Sequence, residues 1–142
     1  ARLDEFRLRF EAYAAARLTA EDLVPRVPID AEVALNELTD EAVAELLSLA
    51  PFGYGNPAPV LAAREAELPQ APVVLKEKHL RFRAVQNRWG MMLKAWNFAA
   101  RGGDLIAGGR YDLAFTVEED AYSASRGYAP WQATLRDFRA CP

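Results

Sequence analysis

Nine residues, Pro51-Phe52-Gly53-Tyr54-Gly55-Asn56-Pro57-Ala58-Pro59, hold three prolines and two glycines and constrain this chain more than any other stretch. Proline at 51 stops a preceding helix, glycine at 53 and 55 permits backbone angles closed to other residues, and Asn56-Pro57 and Ala58-Pro59 force an extended exit. The stretch is neither a regular helix nor a central strand. It reads as a corner between two units: a helical segment over residues 1–50 and a strand-patterned domain over 60–142. A ligand-gripping loop is the rival reading of the same punctuation.

The charge divides at nearly the same place. Residues 1–73 carry 6 Lys/Arg against 13 Asp/Glu, and residues 74–142 carry 11 against 7. The acidic part is a solvated helical surface, whereas the basic part is able to meet phosphate. At 142 residues and 51% hydrophobic, the chain has enough material for one good core. It shows no apolar run near 18 residues and no export pattern, so the sequence indicates no membrane partner. Cys141 is the single cysteine. It excludes a disulfide framework and fits a reducing, cytoplasmic setting. Because the helical pattern is already under way at Ala1, the chain is expected to be a fragment of a longer protein.

Before the corner, apolar residues recur from Leu3 to Leu18 at Leu3, Phe6, Phe10, Tyr13, Ala14 and Leu18, the period of a helix that packs one stripe on a core. Thr19 with Glu21 and Asp22 marks a short second helical turn. Ile29 to Leu35 alternates as an edge strand, and Thr39-Asp40-Glu41 caps a helix that runs toward Pro51. These elements make too small a core to stand alone and must dock on something, either the second half of the chain or a missing upstream region.

Beyond the corner the period becomes two. Expected strands cover 60–67, 78–86, 91–98, 110–118 and 131–138, with a tight hairpin at Asn87-Arg88-Trp89-Gly90 and room for a turn or two of helix in 99–109. The fold class is α+β: a short helical N-terminal segment followed by a five-stranded OB-fold-like β-barrel. Strand parity sends Leu80, Phe82, Ala84, Leu93 and Ala95 inward. It leaves His79, Arg81, Arg83, Lys94 and Trp96 on one outer surface, a basic patch containing an aromatic side chain. That combination grips a single nucleic-acid strand through phosphate charge and base stacking. Arg88 and Trp89 at the hairpin tip, and Tyr122, Arg126 and Tyr128 in the 121–129 loop, are further candidate contacts. The plainer readings are an ordinary solvated strand face and an ordinary long loop.

Catalytic chemistry is not visible. With His79 the single histidine, no histidine-based metal cluster, Ser-His-Asp arrangement or Cys-His pair assembles from this chain. Glu118-Glu119-Asp120 offers at most a weak divalent site and reads better as a charged hairpin end.

The segment Leu49-Ala50-Pro51-Phe52-Gly53-Tyr54-Gly55-Asn56-Pro57-Ala58-Pro59 resembles the Leu-x-Pro-Phe-Gly-x-Gly-Asn-Pro-x-Pro signature of the RecJ family of single-strand-specific exonucleases. Ile29-Asp30-Ala31-Glu32, Lys78-His79-Leu80-Arg81, Gly109 to Phe115 and Leu135-Arg136-Asp137 add to the resemblance. It implies a DHHA1-like tail over 1–50, a Pro/Gly elbow over 51–59 and an OB-fold over 60–142. By the same resemblance the parent enzyme degrades single-stranded DNA from 5′ to 3′, and its catalytic DHH half, with Mn or Mg, lies outside this chain. This part would then bind DNA without cutting it. A single-stranded-DNA-binding protein is the candidate partner if this part is instead a docking unit. The stretch from Leu68 to Leu75 and the link from the third to the fourth strand are shorter than the family pattern. The alternatives are a protein-interaction or architectural OB-like domain that locks the nuclease core or docks a partner, and a related phosphodiesterase acting on small nucleotides or RNA.

Overall fold

The computed structural model describes residues 2–142. Ala1, read as part of a helical start, lies outside the described residues. The chain is α+β, built around a seven-stranded sheet. Five strands are close to those expected: β2 (Leu61–Glu67), β4 (His79–Gln86), β5 (Trp89–Ala95), β6 (Arg110–Glu119) and β7 (Trp131–Ala140). Two short strands join them, β1 (Ala31–Glu32) and β3 (Val73–Leu75). The Ile29–Leu35 edge strand thus contracts to two residues that pair in parallel with β2, and β3 arises in the stretch read as a bare connection.

The five longer strands pair in the order β2-β6-β7-β5-β4, and β4 returns to β2 through Glu67↔Val85. They therefore form a ring, with β5 and β7 parallel (Leu93↔Ala133) and the other ring pairings antiparallel. Closing so short a sheet demands sharp local bending, supplied by irregularities in β2 and β7. In β2 the extra residue falls between Ala63 and Ala66, where Glu65 has φ of 50° and its amide donates to Asp112 Oδ1 at 3.2 Å.

Inward-facing side chains fill the ring. Phe115, Leu80, Leu93 and Leu113 are fully buried, and Ala63, Ala66, Ala84 and Ala95 let neighbouring strands approach closely. The buried Tyr111 hydroxyl accepts from the Ile106 amide and donates to the Asp104 carbonyl, so its polar tip is satisfied. A 3-10 helix over Ala99–Asp104 occupies the link to β6.

Helix α2 (Asp40–Leu47) begins as expected, with Thr39 Oγ1 accepting from the Ala42 amide at 3.2 Å. It buries Val43 in the same core as the ring strands. Helix α1 (Arg2–Ala15) forms where the periodicity predicts a helix, but it buries no residue. Leu3, Phe6, Phe10, Tyr13 and Leu18 are all exposed, so this stripe does not pack on the second half of the chain. Residues 16–30 are also exposed.

The corner at 51–59 is organised by one side chain. Asn56 Nδ2 donates to the Leu49 and Pro51 carbonyls at 3.0 and 3.1 Å, and Gly53 and Asn56 exchange backbone hydrogen bonds. An asparagine therefore ties the end of the helical segment to the turn that leads into β2.

Candidate nucleic-acid interface

The alternation in β4 produces two faces. Leu80, Phe82 and Ala84 are buried, whereas Arg81 and Arg83 are exposed and His79 is half-buried. In the facing strand, Met91, Leu93 and Ala95 are buried, Met92 is exposed and Lys94 is half-buried. The register Arg81↔Lys94 and Arg83↔Met92 places these four side chains on one outer surface.

β5 ends at Ala95 rather than running on to Phe98 as the alternation predicts, so Trp96 sits just past the strand at the head of a turn in which Asn97 has φ of 63°. Its indole is 48% exposed. His79 braces it: the two ring centres lie 4.8 Å apart with planes at 76°, and His79 Nδ1 accepts from the Asn97 amide at 3.0 Å. That bond places the imidazole proton on Nε2 when the ring is neutral.

The hairpin tip is tighter than four residues. Asn87 and Arg88 alone form the turn, with φ of 50° and 74°, the pattern of a type I′ connection. Trp89 consequently opens β5 opposite Gln86, on the inward-facing parity but at the rim, where it is 60% exposed. The parallel pairing of Leu93 with Ala133 carries the start of β7 and the loop before it to this same end. Tyr122, Arg126 and Tyr128 therefore neighbour the hairpin-tip end, roughly 20 Å along the strands from Trp96 at about 3.3 Å per residue. The sequence-predicted residues divide into a His79/Trp96 end, an Arg81/Arg83/Lys94 middle and a tip end. The loop is not featureless: α3 (Ala121–Ala124) is capped by Asp120, and the Arg126 guanidinium lies 4.8 Å from the Tyr122 ring centre.

A cleft of about 440 Å³ opens on the middle of this face. Its lining includes Pro69 and Gln70 from the connection after β2 and Val73 from β3, with Arg81, Arg83 and Met92 from the β4–β5 pair. The stretch between β2 and β4 is thus one wall of the cleft. Gly90 keeps the neighbouring surface low, since a Cβ there would overlap the Arg83 guanidinium.

Charge pairing separates the two sides of the ring. On the β2–β6–β7 side, Asp112 accepts from Arg64 at 2.9 Å and from Arg139, and Arg64 also donates to Glu32. Partial burial pushes the Asp112 carboxyl up, but hydrogen bonds from Arg139, the Glu65 amide, Arg64 and the Cys141 thiol outweigh it and hold it down to about 2. Burial and the adjacent Asp112 push the Cys141 thiol up, away from thiolate reactivity. Arg110 and Arg101 likewise face Glu65 and Asp137. Arg81, Arg83 and Arg88 have no carboxylate partner among the described residues. Lys94 differs, because its ammonium donates to Gln132 and lies 3.8 Å from Asp120.

Sequence reasoning missed Met92 and Val73, which line the cleft. Met92 has the parity of Lys94 and was legible. Glu118 accepts from Gln132 and Thr134, and Asp120 caps α3, so the acidic hairpin end has structural work. Among the described residues no group of three or more His, Cys, Asp or Glu is placed to hold a metal ion, and no helix is long and apolar enough to cross a membrane.

Among curated proteins none matches this chain. Among solved structures, a protein assigned as an aspartyl-tRNA synthetase from Leishmania major Friedlin is similar at 11% identity and a TM-score of 0.47, over 82% of this chain and 22% of that one. This chain therefore spans about a fifth of that protein's length. The family model described as the RecJ OB domain matches residues 29–132, well over half the chain and including the corner, β2, β4, β5, β6, the first two residues of β7 and the cleft. The chain belongs to the RecJ OB domain family.

Proposed function

We propose that this chain is the single-stranded-DNA-binding module of a RecJ-like 5′-to-3′ exonuclease. The observation that carries this reading is the pair of exposed arginines, Arg81 and Arg83, without carboxylate partners beside the cleft. Guanidinium groups left free of internal acids can meet phosphates, and the exposed Trp96 offers a ring for a base. We read the ring as a partly closed OB barrel whose second and third strands, with the flanking loops, form the surface such folds use for oligonucleotides. Residues 1–50 then correspond to a DHHA1-like tail and 51–59 to the elbow. The metal-dependent half, with Mn or Mg, and a cytoplasmic setting belong to the parent nuclease. A single-stranded-DNA-binding protein is a further partner under this reading.

The test is a titration of a fluorescent single-stranded oligonucleotide with Arg81→Ala, Arg83→Ala and Trp96→Ala measured singly. Each arginine change should weaken binding and reduce the salt slope by about 0.7 if it removes one phosphate contact. Unchanged affinity in all three variants overturns the assignment of this face.

A second reading, a protein-interaction or architectural unit, is favoured by the uncovered stripe Leu3, Phe6, Phe10 and Tyr13 on α1. It predicts negligible oligonucleotide binding at low salt, with binding to a partner protein that Phe6→Ala and Phe10→Ala abolish.

A further inference from the structure

Lys94 is set apart from the other cations of this face by what surrounds it. Its ammonium donates to Gln132 Oε1 and faces Asp120 Oδ2 at 3.8 Å. Gln132 in turn donates to Glu118 Oε1 at 2.7 Å, and the same oxygen accepts from Thr134 Oγ1 at 2.6 Å. Asp120 accepts from the Ser123 amide at 2.9 Å and from the Ser123 hydroxyl at 2.8 Å, which forms the cap of α3. Lys94 thus stands where a chain of polar groups from β6 and β7 meets the first residue of the 120–130 loop. The Ser123 amide and hydroxyl, with Lys94 adding to them, hold the Asp120 carboxyl below the ordinary aspartate range.

From this geometry we infer that Lys94 is a positioning residue that pins the 120–130 loop as a fixed wall beside the binding face, rather than a phosphate contact. The inference rests on the nucleic-acid reading of that face. A phosphate approaching Lys94 would meet Glu118 and Asp120 beside it and would compete with an acceptor already bonded. Arg81, directly opposite in the register, carries no such neighbours. Losing the Lys94 charge should free the loop bearing Tyr122, Arg126 and Tyr128, which would then have to be ordered when a strand binds.

Two variants separate the alternatives, because the positioning and contact roles predict different outcomes for Gln132→Leu. This change leaves every charge in place but removes the acceptor of Lys94. If Lys94 only pins the loop, Lys94→Met and Gln132→Leu should each weaken oligonucleotide binding by about three- to tenfold, the cost of ordering a wall on binding. The double variant should lose little more than either alone. Lys94→Arg, which keeps donors for both Gln132 and Asp120, should restore much of the loss. The salt slope should stay at the wild-type value in all of these variants.

If Lys94 contacts phosphate, Lys94→Met should reduce the slope by about 0.7 and Gln132→Leu should leave affinity unchanged or improve it. Either of these results overturns the proposal. Amide exchange of residues 121–128 in the free protein gives a readout independent of DNA. It should quicken in Lys94→Met and Gln132→Leu but not in Arg81→Ala, and unchanged exchange in both overturns the pinning role. Should the wild type bind no oligonucleotide, the functional reading fails, and exchange alone decides whether Lys94 holds the loop.

Discussion

His79 stands edge-on to Trp96, with ring centres 4.8 Å apart, and is itself held by the Asn97 amide at its Nδ1. The contact couples the first residue of β4 to the residue just beyond β5, so the indole is braced on one side and exposed on the other. Trp96→Ala should therefore remove a stacking surface worth about 1–3 kcal/mol per base. His79→Ala should cost less, since it leaves the indole present but unbraced. Titration of a fluorescent oligonucleotide would show both, and an equal, negligible effect of the two changes would contradict the stacking role.

Gly90→Ala tests the same face from the other end. The added methyl overlaps the Arg83 guanidinium, the movable end of a long side chain, while nothing in the backbone opposes it. Thermal stability should shift by no more than about 0.5 kcal/mol, as for a surface change. Affinity should fall toward that of Arg83→Ala. A large loss of stability would show that the strand itself is disturbed.

Asp112 sets a pH dependence of stability unrelated to binding. Its carboxyl is held at about 2 in the folded protein, below the ordinary value of 3.8. A depressed acid stabilises the folded state above its unfolded value and loses that contribution as pH falls. Stability should therefore decline between about pH 4 and pH 2. Asp112→Asn should flatten that limb and cost on the order of 1–2 kcal/mol at neutral pH, the lower figure allowing for screening of the exposed Arg139. Urea denaturation at pH 7, 4 and 3 would measure this, and parallel curves for wild type and variant would refute it.

Asn56→Ala should destabilise the fold by about 1–2 kcal/mol, because it removes the donor to both the Leu49 and Pro51 carbonyls. Oligonucleotide affinity should not change, since the turn lies outside the outer β4–β5 face. Equilibrium unfolding combined with the binding titration distinguishes this mechanical role from a ligand-gripping one.

The strand face was legible because a two-residue period converts directly into sidedness once one side is buried. Leu80, Phe82 and Ala84 against Arg81 and Arg83 is such a pattern, and so is Leu93 and Ala95 against Lys94. Trp89 was harder to place. Whether it belongs to the turn or the strand depends on Asn87 and Arg88 both adopting positive φ, and Asn-Arg is a weaker signal for that than Asn-Gly. β3 and the cleft it helps wall were not legible, since Val73 to Leu75 is too short to show a period. The stripe on α1 shows the opposite failure: helical periodicity predicts a packed face, but periodicity says nothing about whether a packing partner is present.

Read alone, the sequence determines which side chains of β4 and β5 share a face, that the chain must turn at 51–59 and within 87–90, and which signature the corner carries. These are matters of neighbours one to four residues apart. Which cations on that face remain free was decided only in three dimensions. Lys94 meets Gln132 and Asp120, whereas Arg81, thirteen positions earlier in the chain, meets no carboxylate among the described residues. An ion pair depends on the distance between two charges after the ring has closed, and composition and spacing along the chain do not encode that distance.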